Sequence, residues 1–281
     1  MHTAKTASYR FRAALAITAL LVGSAPLVSA SVLTPPDDAF VEISPGRVAY
    51  HSTADVLKQG RPIAPPKLEF EFGRPILFMK RHVSQAEYAA CVADDGCRPL
   101  DKAHRDQRSP DLAVVGVSWQ DATDYATWLS QRKGVNYRLP TYSEWVHAAG
   151  ERFTEELRLD IYDSENPAER WLAEYALEAQ RKIATDPKLK PFGAYGENAA
   201  GVQDINGNVW DWTDTCYERI FLGPDGEPSL PPFENCGVRL VAGSHHSMIT
   251  DFMRDPKAGA CSVGIPPSNL GIRLVREVSA R

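Results

Sequence analysis

Three of the seven histidines stand where an imidazole could take part in acid–base catalysis or bind a metal. They are His82 and the adjacent pair His245 and His246. Imidazole changes charge near neutral pH, and its neutral form is a common metal ligand. Neighbouring side chains on a strand point to opposite faces, so on a strand at most one of His245 and His246 would reach a shared pocket. The sequence is compatible with both arrangements.

The five cysteines indicate two local disulfides. Cys91 and Cys97 flank an Asp-Asp-Gly turn, and Cys216 and Cys236 bracket a loop rich in proline and glycine. We predict that each of these pairs forms a bridge, although spacing alone does not fix the connectivity. Cys261 is then left over, either as a buried inert thiol or as a redox-active one.

The first 30 residues have the features of an export signal. Lys5, Arg10 and Arg12 precede a short apolar run at residues 13–22, and small residues lead up to Ala30, after which we predict cleavage. The run is shorter than the about 20 residues that a membrane-spanning helix needs. We therefore expect a periplasmic mature chain with no membrane span.

Charge excludes two classes of partner. Removing residues 1–30 takes away three positive charges and no negative one, so the formal net charge changes from −5 to −8. Nucleic acids and anionic membranes require a basic surface, which such a chain lacks. The remaining length of about 250 residues is enough for one large domain with its own core.

Capping boxes predict three helices that must position the candidate residues. Ser84, Ser118 and Thr141 are each followed three residues later by a side-chain acid. In such a box the hydroxyl accepts from a backbone N–H at the start of a helix, and the acid reaches back to the cap. We expect the second helix to end near Gly134 and the third at Gly150.

The rest of the chain divides by composition. Residues 31–66 are rich in proline and predict an extended arm, followed by a single domain over residues 67–281. Alternating apolar residues at 70–78, interrupted by glycine and proline, predict a pair of strands. The charged stretch 151–190 has helical spacing and predicts a helical insertion, either a lid or a solvated surface element. The last third predicts irregular, turn-dense β-structure.

Five short motifs in this order resemble those of the formylglycine-generating-enzyme (sulfatase-modifying factor) family. The family pattern is VSWxDA, YRLPTxxEW, GNVWEW, GGS and NLGFR, and the chain has VSWQDA at 117–122, YRLPTYSEW at 137–145, GNVWDW at 207–212, AGS at 242–244 and NLGIR at 269–273. The resemblance spans roughly residues 70–276. It implies an irregular α+β fold of the C-type-lectin kind in a single domain.

The resemblance does not extend to the family's copper site. In the copper-dependent members, two cysteines after the GGS motif bind Cu(I) and oxidise a substrate cysteine to formylglycine, and soft thiolates are what Cu(I) selects. Counted from Gly243 and Ser244, these two positions hold Ser247 and Phe252. We therefore expect no copper and no formylglycine-generating activity. No flavin, haem or nicotinamide motif is visible, so the redox cofactor stays unknown.

The same resemblance indicates which residues line the pocket. His82 falls where the family commonly has an acid, and two histidines directly follow the AGS motif. A cleft of aromatic rings, hydroxyls and imidazoles would suit a planar, catechol-like ring. The candidate catalytic residues are His82, Trp119, Ser244, His245, His246, Ser247 and Phe252.

A structural calcium site is also implied by the resemblance. Its ligands carry over to Asp204, Gly207, Val209 and Asp211. Carboxylates at both ends and backbone carbonyls between them suit a hard cation such as Ca²⁺. Asp211 is one methylene shorter than the family's glutamate. The alternative is that the two aspartates only cap turns.

Two functions fit these features. Resemblance to exported family members without the copper cysteines implies oxidative maturation of a peptide siderophore, in which a dihydropyoverdine chromophore becomes pyoverdine. The partners would be a small-molecule or peptide siderophore precursor and other periplasmic maturation enzymes. The alternative is a non-catalytic peptide- or sugar-binding accessory protein on the same fold. Turnover by the purified protein distinguishes the two.

Overall fold

A computed structural model describes residues 34–101, 109–155, 188–255 and 269–277, together with a few positions between 166 and 176. They lie in one compact unit, which runs from Val32 to Arg281. The export signal at 1–30, Cys261 and most of the insertion predicted at 151–190 fall outside the described residues. Within the described part, no helix is long and apolar enough to cross a membrane.

The described residues form an α+β domain, as predicted. The helices are α1 (Gln85–Ala93), α2 (Trp119–Lys133) and α3 (Tyr142–Ala149). The strands are β1 (Phe40–Ile43), β2 (Gly46–His51), β3 (Asp55–Lys58), β4 (Arg61–Pro62), β5 (Lys67–Phe72), β6 (Ile76–Met79), β7 (Tyr137–Arg138), β8 (Trp210–Leu222), β9 (Phe233–Ala242), β10 (His246–Thr250), β11 (Leu270–Gly271) and β12 (Val275–Glu277).

All three predicted helices are confirmed, and each begins at its capping box. Ser84, Ser118 and Thr141 accept from the backbone N–H three residues on, and the acid there reaches back to the cap. Helix α2 ends at Gly134, whose φ of 66° lies in the left-handed region that glycine adopts without strain. The helix boundaries therefore follow from local sequence.

An arginine strengthens each capping box. Arg81 and Arg138 stand three residues before the capping hydroxyl, and each forms a two-bonded pair with the box glutamate, Glu87 or Glu144. In the second helix the corresponding pair comes from far along the chain, since Arg254 binds Asp121. The sequence analysis missed these pairs, although the shared Arg-x-x-(Ser/Thr)-x-x-Glu spacing signals the first two.

The strands form three sheets. Their orders are β1-β6-β12-β7, then β10-β9-β8-β3-β4 with β11 beside β8, and finally the pair β2-β5. The predicted arm at 31–66 supplies β1 to β4 and so contributes to every sheet.

The predicted pairing of the strands within residues 70–78 is wrong. Both strands exist as β5 and β6, but β5 pairs with β2, whereas β6 pairs with β1 and β12. Strand β6 is almost wholly buried, while β5 alternates between exposed and half-buried positions. A buried strand needs hydrogen-bonding partners on both edges, and strands near the two ends of the chain provide them.

Strand β9 separates two apolar clusters. Val241 belongs to the cluster built around α1 and α2, whereas Leu240 and Ala242 belong to the cluster built around α3. Strand β10 alternates in the same way, since Ile249 joins the first cluster and Met248 packs against the second. Side chains of these two strands can therefore reach either of two different environments.

The capping pairs generate a pH prediction. Burial alone raises the pKa of Glu144, but hydrogen bonds from Arg138 and Thr141 outweigh it and lower the pKa. Because the folded pKa lies below the unfolded value of about 4.3, this stabilisation is full above that pH and is lost as the pH falls through the folded pKa. We expect Glu144→Gln to lose about 2 kcal/mol at pH 7 and progressively less below pH ~4.

Urea unfolding of both proteins between pH 3 and 8 measures this difference. Glu71→Gln is the matched control, because Glu71 pairs with Arg47 but two thirds of its side chain is exposed. Such a surface pair contributes little. An equal loss for Glu144→Gln at pH 3 and pH 7 would contradict the prediction.

Candidate functional site

The turn between β9 and β10 lies directly on an indole. A Cβ added to Gly243 would stand 2.4 Å from ring atoms of Trp210, so a glycine is required for the turn to approach this closely. His245 meets the same ring edge-to-face, with 4.5 Å between ring centroids. Ser244 Oγ lies 3.2 Å from His245 Nδ1. A hydroxyl, an imidazole and an indole are thus held together at this turn.

His245 and His246 lie on different sides of the strand. His245 contacts Trp210, a member of the cluster around α1 and α2, whereas His246 meets Tyr142 of the other cluster at a centroid distance of 5.8 Å. His245 is half-buried and His246 is exposed. Only His245 therefore stays with the residues of the Trp210 side.

The two former copper positions have different environments. Ser247 is buried in β10 opposite Val241, on the same face as Ile249. Phe252 follows the strand and is 61% exposed. Neither a hydroxyl nor a phenyl ring replaces a thiolate as a Cu(I) ligand.

The described cysteines are all bridged. The two predicted disulfides, Cys91–Cys97 and Cys216–Cys236, are confirmed. Cys216 and Cys236 also stand near Glu234, but sulfur atoms tied up in a disulfide are not thiolate ligands. In the part of the chain that the structure covers, no thiolate is thus available for copper.

Arg239 is a site residue that the sequence analysis missed. It lies in β9 opposite Ile249, which puts it on the same face as Ser247. Its guanidinium covers the ring of Trp119 at 4.0 Å and donates to Asp214. Arg239 stands two residues before the buried Val241, so the two side chains share one face of β9. This spacing could have indicated from the sequence that Arg239 faces the same side. Trp119 and Arg239 together form an aromatic–cation stack on this face of the sheet.

His82 belongs to a different group of residues. It is buried, and its Nε2 lies 3.0 Å from Oδ1 of Asp211. Burial lowers the pKa of His82, Arg273 lowers it further, and the opposing effect of Asp211 is smaller. The neutral ring donates through Nε2 to Asp211 and accepts at Nδ1 from Arg273, 3.2 Å away. His82 is thus a partner in a buried charge network.

Asp211 is the centre of that network. The carboxylate and the Arg273 guanidinium are both wholly buried, with Arg273 Nε 3.3 Å from each carboxylate oxygen. Trp145 Nε1 donates to Oδ2 at 2.8 Å. Burial alone raises the pKa of Asp211, but Arg273 and His82 outweigh it and hold the pKa at about 2. Asp211 is therefore ionised throughout the physiological range.

Two of the four predicted calcium ligands already have other partners. Asp211 is already committed to Arg273, His82 and Trp145. Asp204 accepts from the backbone N–H groups of Gly193 and Tyr195 at 2.6 and 2.7 Å, so it holds a turn, which was the alternative expectation. Calcium binding at Asp204, Gly207, Val209 and Asp211 stays a prediction.

Comparison with known proteins agrees with the sequence motifs. Residues 26–278 match the model of the family described as the sulfatase-modifying factor enzyme 1-like domain. The chain belongs to this family. Formylglycine-generating enzymes are among its relatives: that of Streptomyces coelicolor is 28% identical over 182 residues, and that of Mycobacterium tuberculosis is 33% identical over 183 residues.

These similarities cover only part of each protein. The two alignments span 60% and 58% of this chain but 54% and 57% of the relatives, so the match covers about half of their length. An inactive C-alpha-formylglycine-generating enzyme 2 of Mus musculus is 31% identical over 114 residues, 38% of this chain and 33% of that protein. The family thus includes relatives named as active and as inactive.

A solved structure shares the fold. PvdO from Pseudomonas aeruginosa aligns with a TM-score of 0.53 and 18% identity, covering 85% of this chain and 94% of that chain. The α+β fold of the formylglycine-generating-enzyme family, predicted from the motifs, is therefore confirmed.

The close approach of Gly243 to Trp210 generates a second prediction. Gly243→Ala places a methyl group within the indole and forces the turn or the ring to move. We expect a loss of about 1–3 kcal/mol, as in other overpacked sites, which corresponds to several degrees in Tm. Differential scanning calorimetry measures the shift.

Gly73→Ala is the control for this experiment. A Cβ at Gly73 meets nothing within 4 Å, so its Tm should stay close to that of the unchanged protein. Equal Tm values for the two variants would show that the turn does not depend on Gly243.

Proposed function

We propose that this protein is an exported member of the formylglycine-generating-enzyme family that acts in the oxidative maturation of a peptide siderophore. In this reaction the dihydropyoverdine chromophore becomes pyoverdine. The observation that carries the proposal is the makeup of the segment after Gly243: Ser247 and Phe252 stand where the resemblance puts the thiolates, and His245 of the same segment packs against Trp210. The motif resemblance to exported members without copper cysteines supports this substrate.

The residues of this region suit a planar ring as substrate. The half-buried Trp119 and the exposed Phe252 offer aromatic surface, and aromatic rings pack well against one another. Arg239 lies over Trp119 and pairs with Asp214, so a phenolate oxygen would bind there in competition with that carboxylate. A substrate cysteine, by contrast, would find no metal-bound thiolate here.

The chemistry proposed is a two-electron oxidation. One double bond forms in the dihydro ring, and two hydrogens leave it as two electrons and two protons. Dioxygen accepts both and is reduced to hydrogen peroxide. His245 is the candidate proton acceptor, because its imidazole is oriented by Ser244 and a neutral imidazole nitrogen can accept a proton.

Location in the periplasm is part of the proposal. The N-terminal 30 residues have the pattern of an export signal, and the two disulfides are typical of proteins that fold in an oxidising compartment. A peptide siderophore would then be oxidised after export of its precursor.

A turnover assay with matched histidine variants tests this function. The purified protein, in air and without partner proteins, should convert a dihydropyoverdine substrate faster than the spontaneous reaction. We expect His245→Ala to lower kcat by about 100-fold, the usual size of an acid–base contribution. His246→Ala should retain the rate, because His246 lies on the other side of the strand against Tyr142. Chromophore absorbance and peroxide formation are the two measurements.

Other outcomes are equally informative. Equal losses in both variants would contradict the assignment of His245, provided that both fold as judged by Tm. Binding of the precursor without any turnover would favour the non-catalytic accessory protein, for which the exposed Phe252 is the supporting observation. If the protein catalyses the oxidation, a strain that lacks its gene should accumulate the dihydro precursor.

A further inference from the structure

Arg273 is a buried cation with every donor in use. Its Nη1 donates to the backbone carbonyls of Met79 and Lys80, each at 3.0 Å. Its Nη2 donates to the carbonyl of Gln203 at 3.0 Å and to His82 Nδ1, and its Nε faces Asp211. The five N–H groups of the guanidinium thus all have acceptors. Burial of an arginine is tolerated only with such complete pairing.

The acceptors around Arg273 form the kind of shell that a hard cation prefers. Besides the ring nitrogen of His82, it consists of one carboxylate and three backbone carbonyl oxygens. Carboxylate and carbonyl oxygens are also the usual ligands of Ca²⁺ in proteins. The shell joins the end of β6 to a segment much later in the chain, which contains Gln203 and the start of β8. A positive charge is needed there, and the guanidinium provides it.

A calcium ion at Asp211 would conflict with this arrangement. Ca²⁺ takes six to eight oxygen ligands at about 2.3–2.6 Å. Both oxygens of Asp211 already receive hydrogen bonds, one from His82 and one from Trp145, and both face Arg273. The ion would have to displace these donors and stand beside a second positive charge in a fully buried region. Coulomb repulsion is strong at such a place because the effective dielectric constant is low.

We propose that Arg273 is the resident cation of this site, and that Asp211 stabilises the fold through Arg273 rather than through calcium. This inference is independent of the proposed siderophore function, because it concerns the stability of the domain and not its reaction.

The experiment compares thermal stability with and without calcium. Tm is measured by calorimetry in 5 mM EDTA and in 2 mM CaCl₂, chosen as about a thousand times a micromolar Kd. We expect the Asp211→Asn variant to melt about 10 °C below the unchanged protein in both buffers, since a buried charge loses its partner. Asp214→Asn is the matched control, because Asp214 pairs with Arg239 but is half-exposed. Its Tm should change little.

The result that overturns the proposal is specific. The proposal is overturned if CaCl₂ raises the Tm of the unchanged protein but does not raise the Tm of Asp211→Asn. A rise of equal size in both proteins supports the proposal, because the calcium then binds without Asp211. No rise in either protein supports it as well.

Two further measurements keep the proposal open to refutation if a variant fails to fold. Calorimetric titration of the unchanged, EDTA-treated protein with CaCl₂ comes first. Absence of binding supports the proposal, and micromolar binding overturns it unless folded Asp211→Asn binds calcium equally well. A double-mutant cycle of Asp211→Asn and Arg273→Met should give a combined Tm loss much smaller than the sum of the single losses, in EDTA and in calcium alike. Additive losses would contradict the pairing.

Discussion

The domain depends on a wholly buried ion pair between Asp211 and Arg273. The carboxylate stands at the start of β8 and the guanidinium just before β12, and the pair ties both to the end of β6 through backbone carbonyls. Removing one partner of such a pair typically costs about 3–5 kcal/mol, because the other charge is left buried and unpaired. The ion pair stabilises the domain by holding these distant segments in a single arrangement.

The candidate site is built on the same strand. Trp210 precedes Asp211 in β8, so their side chains point to opposite faces. On one face, Asp211 pairs with Arg273. On the other face, Trp210 contacts the turn at Gly243 and packs against His245. The position of the indole under the β9–β10 turn thus follows from the buried charge on its other side.

Loss of the thiolates leaves this frame in place. The capping boxes, the two disulfides and the tryptophans of β8 are all present, while Ser247 and Phe252 occupy the positions from which copper would be bound. The same fold can support a different reaction, because function depends on a few side chains that the fold positions.

The sequence by itself determined the features that depend on near neighbours. Helix starts, both disulfides and the ordered family motifs were predictable, since capping and short loops are decided within a few residues. Tertiary structure decided the rest. The partners of β5 and β6, the separation of His245 from His246 and the capture of His82 and Asp211 by Arg273 join residues up to almost two hundred positions apart. Such contacts depend on how strands pair and on which charges become buried together. Neither strand pairing nor joint burial of charges can be predicted from a few neighbouring residues.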